Sequence, residues 1–207
     1  MELMEGGNLA EYLQKQPKRR MEDVRAVKSF IKQIVETVAY LNSMKIVHQD
    51  LKPENILLDK SLTAVKLCDF GISNYLDMTR ATHDAKGTVR YMSKELLDCK
   101  LTNKIDVWGV GCILLVMITG KQPYEGMNNE WSISSKIFSG VTPLEYALEN
   151  QKVDLFGNDQ GELQPGSTNT LYNQEADLRD FLTVCLDKHY KTRPTATQLL
   201  SHPFLRS

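Results

Sequence analysis

The sequence predicts an α+β protein that is mainly α-helical and contains one small β-hairpin. Three observations support this fold class. Apolar residues recur at steps of three and four along residues 22–44, which is typical of an amphipathic helix. Residues 107–118 form a run without charge, which indicates a helix buried on all sides. Two short apolar-rich runs, 56–58 and 65–67, flank a polar turn and predict the hairpin.

The composition is that of an ordinary globular protein. Of the 207 residues, 42% are apolar and 25% are charged, and the chain is long enough to bury a core. The net charge of −1 gives no reason to expect nucleic acid or an acidic membrane surface as a partner. The charge-free run is shorter than the ~20 residues that span a bilayer, so we expect no membrane insertion.

The cysteines and the start of the chain suggest the compartment. Cys68, Cys99, Cys112 and Cys185 lack the spacing of a metal site or a disulfide framework, so we expect reduced thiols. No signal peptide opens the sequence. We therefore expect a cytoplasmic location, with a nuclear one left open.

Helix signals predict the other elements in order. Asn8 is a good N-cap for a short helix over residues 8–16. Thr195 and Gln198 form a capping box that predicts the last helix, and Pro203 is expected to end it. Further helices are predicted over residues 103–119, 129–139, 142–150 and 177–188. Residues 151–174 are rich in Gly, Asn, Asp, Gln and Pro and predict a loop insert.

The chain is organised around residues 48–55, H-Q-D-L-K-P-E-N, with D-F-G following beyond the hairpin. Phosphoryl transfer needs such residues, because the protein mainly positions groups and neutralises charge. Asp50 can accept the proton of an attacking hydroxyl, and Lys52 can place a positive charge on the transferring phosphate. Asn55 and Asp69 offer the hard oxygen ligands that suit Mg²⁺.

With these motifs the sequence resembles the eukaryotic protein kinase family, of the serine/threonine type. H-Q-D-L-K-P-E-N matches the catalytic loop and D-F-G the metal-binding turn. Three further matches follow in the family's order: G-T-V-R-Y-M-S-K-E at 87–95, D-V-W-G-V-G at 106–111 and R-P-T-A-T-Q-L-L-S-H-P-F at 193–204. Lys52 is typical of serine/threonine kinases. M-E-G-G-N-L and the last helix are similar to kinases of the MAP-kinase cascade.

The resemblance implies a particular part of that fold. It implies a partial protein kinase domain over residues 1–207, made of the hinge and the C-terminal lobe with its small β-hairpin. The N-terminal lobe, with its Gly-rich loop and lysine, is absent from the sequence. Residues 69–95 would be the activation segment. The implied activity is transfer of the γ-phosphoryl group of ATP, with Mg²⁺, to serine or threonine hydroxyls of a protein substrate in signalling.

The resemblance also assigns roles to individual residues. The catalytic residues would be Asp50 and Lys52. Cofactor binding would involve Glu2, Met4, Glu54, Asn55, Leu57 and Asp69, of which Asn55 and Asp69 would hold the metal. The regulatory candidates are Thr79, Thr82 and Thr88. Structural support would come from His48, Phe70, Glu95, Asp106 and Arg193, with Glu95 and Arg193 forming a buried ion pair and Asp106 bonding backbone groups of the catalytic loop.

Several of these roles have alternatives. Glu54 would contact a basic side chain of the substrate or remain a solvated carboxylate. Thr88 would hydrogen-bond Asp50 and Lys52, or be a solvent-facing phosphorylation site. His48 is expected to be a packing residue rather than a base, because Asp50 already fills that role.

Three positions depart from the family pattern. Gln49 stands where many members have an arginine that receives an activation-segment phosphate, and glutamine cannot pair with phosphate as a cation does. Ser93-Lys94-Glu95 replaces A-P-E, and Lys188-His189-Tyr190 replaces an acid–proline pair. Together with the missing lobe, these departures suggest relaxed constraint. Two alternatives to an active enzyme therefore stay open, the second of which is indicated by the abrupt start of the sequence at the hinge. One is a catalytically inactive kinase-like module that binds a regulatory protein partner, and the other is a fragment of a longer kinase.

Overall fold

The computed structural model describes residues 4–76, 87–150 and 170–206. Within these ranges the chain is mainly helical. The helices are α1 (Leu9–Gln14), α2 (Val24–Ser43), α3 (Lys94–Leu97), α4 (Ile105–Thr119), α5 (Glu130–Phe138), α6 (Pro143–Asn150), α7 (Thr170–Cys185), α8 (Ala196–Leu199) and α9 (Pro203–Arg206). The strands are β1 (Ile46–Val47), β2 (Ile56–Leu58), β3 (Val65–Leu67) and β4 (Asn74–Tyr75). The predicted α+β class, mainly helical, is confirmed.

The core is built around α4, which is buried from Ile105 to Ile118 as its uniform hydrophobicity predicts. The amphipathic helix α2 packs against it and buries the predicted stripe from Val27 to Leu41, although Val24 at its start is exposed. Helix α7 packs on another side of α4. Each fully buried aliphatic side chain contributes about 1.5–3 kcal/mol relative to exposure. No helix in the described part of the chain is long and apolar enough to cross a membrane.

Side-chain caps fix several helix starts. Asn8 accepts a hydrogen bond from the Glu11 N–H, as predicted for α1. Thr195 and Gln198 form the predicted capping box of α8, with both reciprocal bonds present. Asp23 caps α2 by accepting one hydrogen bond from the Arg25 N–H, so the helix begins two residues later than the predicted residue 22.

The short strands form two antiparallel pairs. Strands β2 and β3 form the predicted hairpin with the predicted bounds, and Ile56 pairs with Leu67. Strands β1 and β4 form a second pair, in which Ile46 lies opposite Tyr75. This second pair was not predicted, because two-residue strands are too short to show an alternating pattern.

Two predicted boundaries were wrong. Helix α7 begins at Thr170, so the last residues of the predicted loop insert, 170–174, are helical. The helix-breaking residues of that stretch end at Gly166, a few positions earlier. Pro203 opens α9 instead of ending the last helix, because proline is well suited to the first turn of a new helix. Residues 151–169 lie outside the described residues.

A buried ion pair ties the C-terminal region to α3 and α4. The Arg193 guanidinium, which is fully buried, donates to the Glu95 carboxylate through both terminal nitrogens. It also donates to the Lys104 carbonyl (2.9 Å) and, through Nη2, to the Asp187 carbonyl (2.8 Å). The Trp108 ring lies 5.0 Å from Arg193 Cζ. The predicted Glu95–Arg193 pair is therefore present and fully hydrogen-bonded.

We expect Arg193→Met to lower the free energy of unfolding by about 3–5 kcal/mol, because it leaves the Glu95 carboxylate buried without a partner. Urea denaturation measures the loss. Replacing both residues, in Glu95→Met with Arg193→Met, should cost less than Arg193→Met alone. Arg25→Met, at an exposed arginine, is the matched control. A loss below about 1 kcal/mol for Arg193→Met would contradict the role given to this pair.

Candidate active site

The Asp50 carboxylate is the centre of a compact hydrogen-bonded cluster. The Lys52 ammonium lies 2.7 Å from its Oδ2, and the Thr88 N–H donates to its Oδ1 at 3.0 Å. The Asn55 amide donates to the Asp50 carbonyl (2.9 Å) and to Oδ2 (3.2 Å). Lys52 also donates to the Thr88 hydroxyl at 2.8 Å. Four residues that lie up to 38 positions apart are thus brought together.

The environment of Asp50 keeps it ionised. Burial raises the pKa of the Asp50 carboxyl, but the hydrogen bonds from Lys52 and the Thr88 backbone outweigh burial and hold the pKa below its usual value. The carboxylate is therefore charged at neutral pH. A charged, partly buried carboxylate that still has an accessible edge can accept a hydrogen bond or a proton from a bound hydroxyl.

The shape of this loop depends on Asp106 of α4. The buried Asp106 carboxylate accepts hydrogen bonds from the backbone N–H of His48 (2.8 Å) and of Gln49 (2.9 Å). Burial raises the pKa of Asp106, and the two N–H donors offset part of that rise. These are the backbone partners that the resemblance implied. They hold the two residues before Asp50 at a fixed place on the first turn of α4.

A glycine allows the loop to approach α4 so closely. A Cβ at Gly109 would lie 2.6 Å from Leu51 Cβ, which is closer than real side chains come. Gly87 has a similar role above the loop: its φ is +122°, and a Cβ there would lie 3.1 Å from the Gln49 carbonyl oxygen. Both glycines belong to the motifs that carried the resemblance. Neither role is encoded in a local sequence pattern, since only the packing shows what each glycine contacts.

His48 supports the loop from inside. Its side chain is fully buried, and Nδ1 accepts the Asp50 N–H at 3.3 Å. Nε2 is then the protonated nitrogen and donates to the Cys68 carbonyl at 3.0 Å. The Phe70 ring packs edge-on against His48, 4.9 Å between centroids, although Phe70 remains 46% exposed. These contacts match the packing role expected for His48.

The hairpin brings the backbone of Asn55 next to the residue before Asp69, so the two candidate metal-ligand residues are close in the fold. The Asn55 carbonyl accepts the Cys68 N–H at 3.0 Å, next to the paired ends of β2 and β3. Asp69 follows Cys68 with φ of 60°, and its carboxylate is exposed. An amide oxygen and a carboxylate oxygen are ligands that suit Mg²⁺. Phosphate oxygens and water would complete its coordination shell. In the described residues no group of three or more His, Cys, Asp or Glu side chains could hold a metal without such help.

The start of the described chain runs alongside β2. The Gly6 N–H donates to the Leu58 carbonyl, the Leu58 N–H donates to the Gly7 carbonyl, and Asn8 is bridged to Leu57. A Cβ at Gly6 would lie 2.4 Å from the Asp59 carbonyl oxygen, so this close approach requires glycine. Met4 and Leu57 are both half-buried. Residues 6–8, which follow the implied cofactor-binding residue Met4 closely, therefore lie beside Leu57, another residue of that implied set.

The other predicted site residues lie around this cluster or outside the described part. Glu54 is exposed and lines a cavity of about 300 Å³ with Pro53, Arg90 and Tyr91. Glu2, Thr79 and Thr82 lie outside the described residues. Thr88 contacts both Asp50 and Lys52, as its first interpretation expected.

Gln49, the first departure from the family pattern, is bonded inside the protein. It is buried, adopts φ of 71°, and its side-chain amide donates to the Ile72 carbonyl at 2.7 Å. The β1–β4 pair fixes the chain just beyond Ile72. The segment after D-F-G is therefore anchored by a neutral hydrogen bond.

A helical domain centred on a buried helix, with this loop and hairpin, has the architecture of a protein kinase domain. The family model for the protein kinase domain matches residues 1–205, and the chain belongs to that family. It is similar to MAP kinase kinase kinase wis4 of Schizosaccharomyces pombe, at 31% identity over 99% of this chain and 14% of that protein.

Two other relatives come from the same cascade. The dual specificity mitogen-activated protein kinase kinase hemipterous of Drosophila melanogaster is 33% identical over 83% of this chain and 13% of its own length. Mitogen-activated protein kinase kinase 2 of Arabidopsis thaliana is 30% identical over 99% of this chain and 51% of its own length. The chain thus spans about half of these relatives or less. The recognition of a kinase similar to those of the MAP-kinase cascade is confirmed.

We expect Asp106→Asn to loosen the catalytic loop, because the amide nitrogen would face a backbone N–H and leave one donor unsatisfied. The free energy of unfolding should fall by about 1–3 kcal/mol. Hydrogen exchange should also quicken at the amides of His48 and Gln49. Asp98→Asn removes an exposed carboxylate and is the control. Unchanged exchange at both amides would disprove the anchoring role of Asp106.

Proposed function

We propose that this protein is a serine/threonine protein kinase that transfers the γ-phosphoryl group of ATP to a hydroxyl of a protein substrate. The observation that supports this most is the Asp50 cluster. An ionised carboxylate is held beside a lysine ammonium, and the hairpin brings two oxygen donors, Asn55 and Asp69, to the same end of the loop. Family membership makes kinase chemistry the natural use of this arrangement.

In this proposal Asp50 orients the substrate hydroxyl and accepts its proton as the oxygen attacks phosphorus. The Lys52 ammonium lies 2.7 Å from Asp50 Oδ2, so it would also lie near the attacking oxygen. Its positive charge would stabilise the transferring phosphoryl group. Thr88 positions both side chains through its N–H and its hydroxyl. Asn55 and Asp69 would hold Mg²⁺, which neutralises phosphate charge when it is bound.

The nucleotide would lie along the segment paired with β2. Residues around Glu2 and Met4 would bind adenine through their backbone, and Leu57 would contact its face. Residues 1–207 would then correspond to the hinge and C-terminal lobe of the kinase domain, with 69–95 as its activation segment. The bonds from Gly6 and Gly7 to β2 support the placement of this segment.

The protein substrate would enter beside the catalytic loop. The cavity lined by Glu54, Arg90 and Tyr91 lies there, and it offers both signs of charge to substrate side chains.

The named relatives act in the MAP-kinase cascade, so we propose a role in protein phosphorylation during signalling in the cytoplasm, with regulatory proteins as partners. The second candidate, a kinase-like binding module, rests on the sequence departures at 49, 93–95 and 188–190.

The Asp50→Asn variant distinguishes these functions. The proposal requires ADP production from Mg·ATP and a protein substrate to fall at least ~100-fold in Asp50→Asn, since a positioned base contributes about 10²–10⁴ in rate. Asp98→Asn should keep full activity and shows that losing a carboxylate elsewhere is harmless. The binding-module alternative requires that neither the unmodified chain nor either variant turns over ATP.

We also predict that activity does not depend on phosphorylation of Thr79 or Thr82, because Gln49 already holds the segment and offers no cation to a phosphate. Thr79→Ala with Thr82→Ala should retain activity within about twofold. Gln49→Arg should make activity responsive to phosphorylation, which serves as the matched comparison. Rates measured on phosphorylated and dephosphorylated protein test this, and a tenfold or larger activation of the unmodified chain would show the prediction to be wrong.

A further inference from the structure

A second cavity, of about 280 Å³, lies away from the Asp50 cluster, between α3 and the connection from α7 to α8. Lys94, Lys188, His189, Tyr190 and Lys191 contribute to its lining. Two of the three departures from the family pattern, at 93–95 and 188–190, therefore meet at one place. The proposed phosphoryl transfer gives these residues no role.

The acidic residues around this cavity are already paired. Glu95 and Asp98 also belong to the lining. Glu95 is buried and bonded to Arg193, and Asp98 lies 3.5 Å from the Lys100 ammonium. Asp187, in the same connection, accepts bonds from the Thr192 hydroxyl and the His189 N–H. The negative charges near the cavity are thus satisfied by partners of their own.

The lysines of the lining have no such partners. Within the described ranges, neither Lys188 nor Lys191 forms an ion pair. Lys94 donates only a long bond, 3.4 Å, to the Phe138 carbonyl, which leaves most of its donor capacity unused. The cavity therefore carries an excess of positive charge.

Each of these exposed lysines has a tertiary contact at its side chain or its backbone. The Phe138 carbonyl positions Lys94, and the Lys188 stem lies close to Gly140, where an added Cβ would be 3.8 Å from Lys188 Cδ. The Lys191 carbonyl accepts a bond from the Lys104 ammonium at 2.9 Å. Residues far apart in sequence thus converge by folding, so the cluster is more than a run of surface lysines.

The same turn presents unused backbone donors. Thr192 and Arg193 both donate their N–H groups to the His189 carbonyl, which closes the turn. The N–H groups of Lys188, Tyr190 and Lys191 donate to no acceptor among the described residues. The His189 N–H between them is bonded to Asp187, so the free donors of this turn are the Lys188 N–H and the adjacent pair at Tyr190 and Lys191. Free N–H groups beside lysine ammonium groups can bind a phosphoryl group, which has several oxygens and about two negative charges.

We propose that the cavity between Lys94 and residues 188–191 is a binding site for a phosphoryl group. Three lysines and the backbone donors of one turn would bind its oxygens. The group would come from a phosphorylated side chain of a protein or from free inorganic phosphate. The site is separate from the catalytic cluster and does not depend on the proposed activity.

Titration of the ¹⁵N-labelled chain, followed by the amide signals of Lys188, Tyr190 and Lys191, tests this proposal. The probes are inorganic phosphate, a phosphoserine peptide flanked by alanines, and the same peptide without phosphate. We expect saturable shifts with both phosphorylated probes. Lys188→Gln with Lys191→Gln should weaken binding at least ~tenfold, and Lys94→Gln alone should weaken it to a smaller extent.

Lys15→Gln with Lys32→Gln removes the same charge at two exposed positions elsewhere and is the control. A phosphopeptide that binds tighter than phosphate identifies a protein-borne group, and the reverse order identifies a free anion; both support the site. No saturable shift at these amides, or equal weakening in the control, would overturn it. If the double variant does not fold, the weaker binding expected for Lys94→Gln tests the site on its own.

Discussion

The Asp106 carboxylate, bonded to two backbone N–H groups, is the contact on which the site depends. Removing an ionised carboxylate from water costs several kcal/mol, and hydrogen bonds from His48 and Gln49 offset this cost only if both stay in place. The carboxylate and the loop therefore order each other. Because Asp50 follows directly, the position of the proposed base is set by a helix that touches no substrate.

A second polar anchor lies on the same turn of α4. Arg193 donates to the Lys104 carbonyl, two residues before Asp106, and also holds Glu95 and the Asp187 carbonyl. One end of a single buried helix thus fixes the catalytic loop on one side and the α3 region on the other. Thr88 precedes α3 in the chain and contacts Asp50, so both anchors bear on the geometry of the cluster.

The sequence predicts the parts of this structure that local patterns encode. The hairpin, the capping box of α8 and the buried helix α4 have clear signals in residue type and spacing. The roles of Gly87 and Gly109 have no such signal. The need for glycine at each position follows from the neighbouring group that a side chain there would meet, and only the folded structure shows that group. The predicted start of α7 was too late, because a stretch rich in turn-forming residues indicates a loop but does not show at which residue the next helix begins. Asp50, Lys52 and Asn55 could be proposed from one local motif. The contact of Thr88 with Asp50 and Lys52 could be expected only through the resemblance, because local spacing does not connect residues 50 and 88.

The departures from the family pattern have a structural compensation, which weakens the inference that this chain is under relaxed constraint. Without proline at position 94, the turn into α3 still forms, because the Ser93 carbonyl accepts bonds from the N–H groups of Leu96 and Leu97. Glu95 keeps its bond to Arg193. A lysine at position 94 then becomes free to line a cavity together with Lys188, the other unusual position. Random loss of constraint would not be expected to place two substituted positions, 94 residues apart, on one cavity while the buried ion pair beside them stays intact. The cavity and the buried ion pair beside it therefore favour a specific change at the surface around Lys94 and Lys188, with the buried Glu95–Arg193 pair kept.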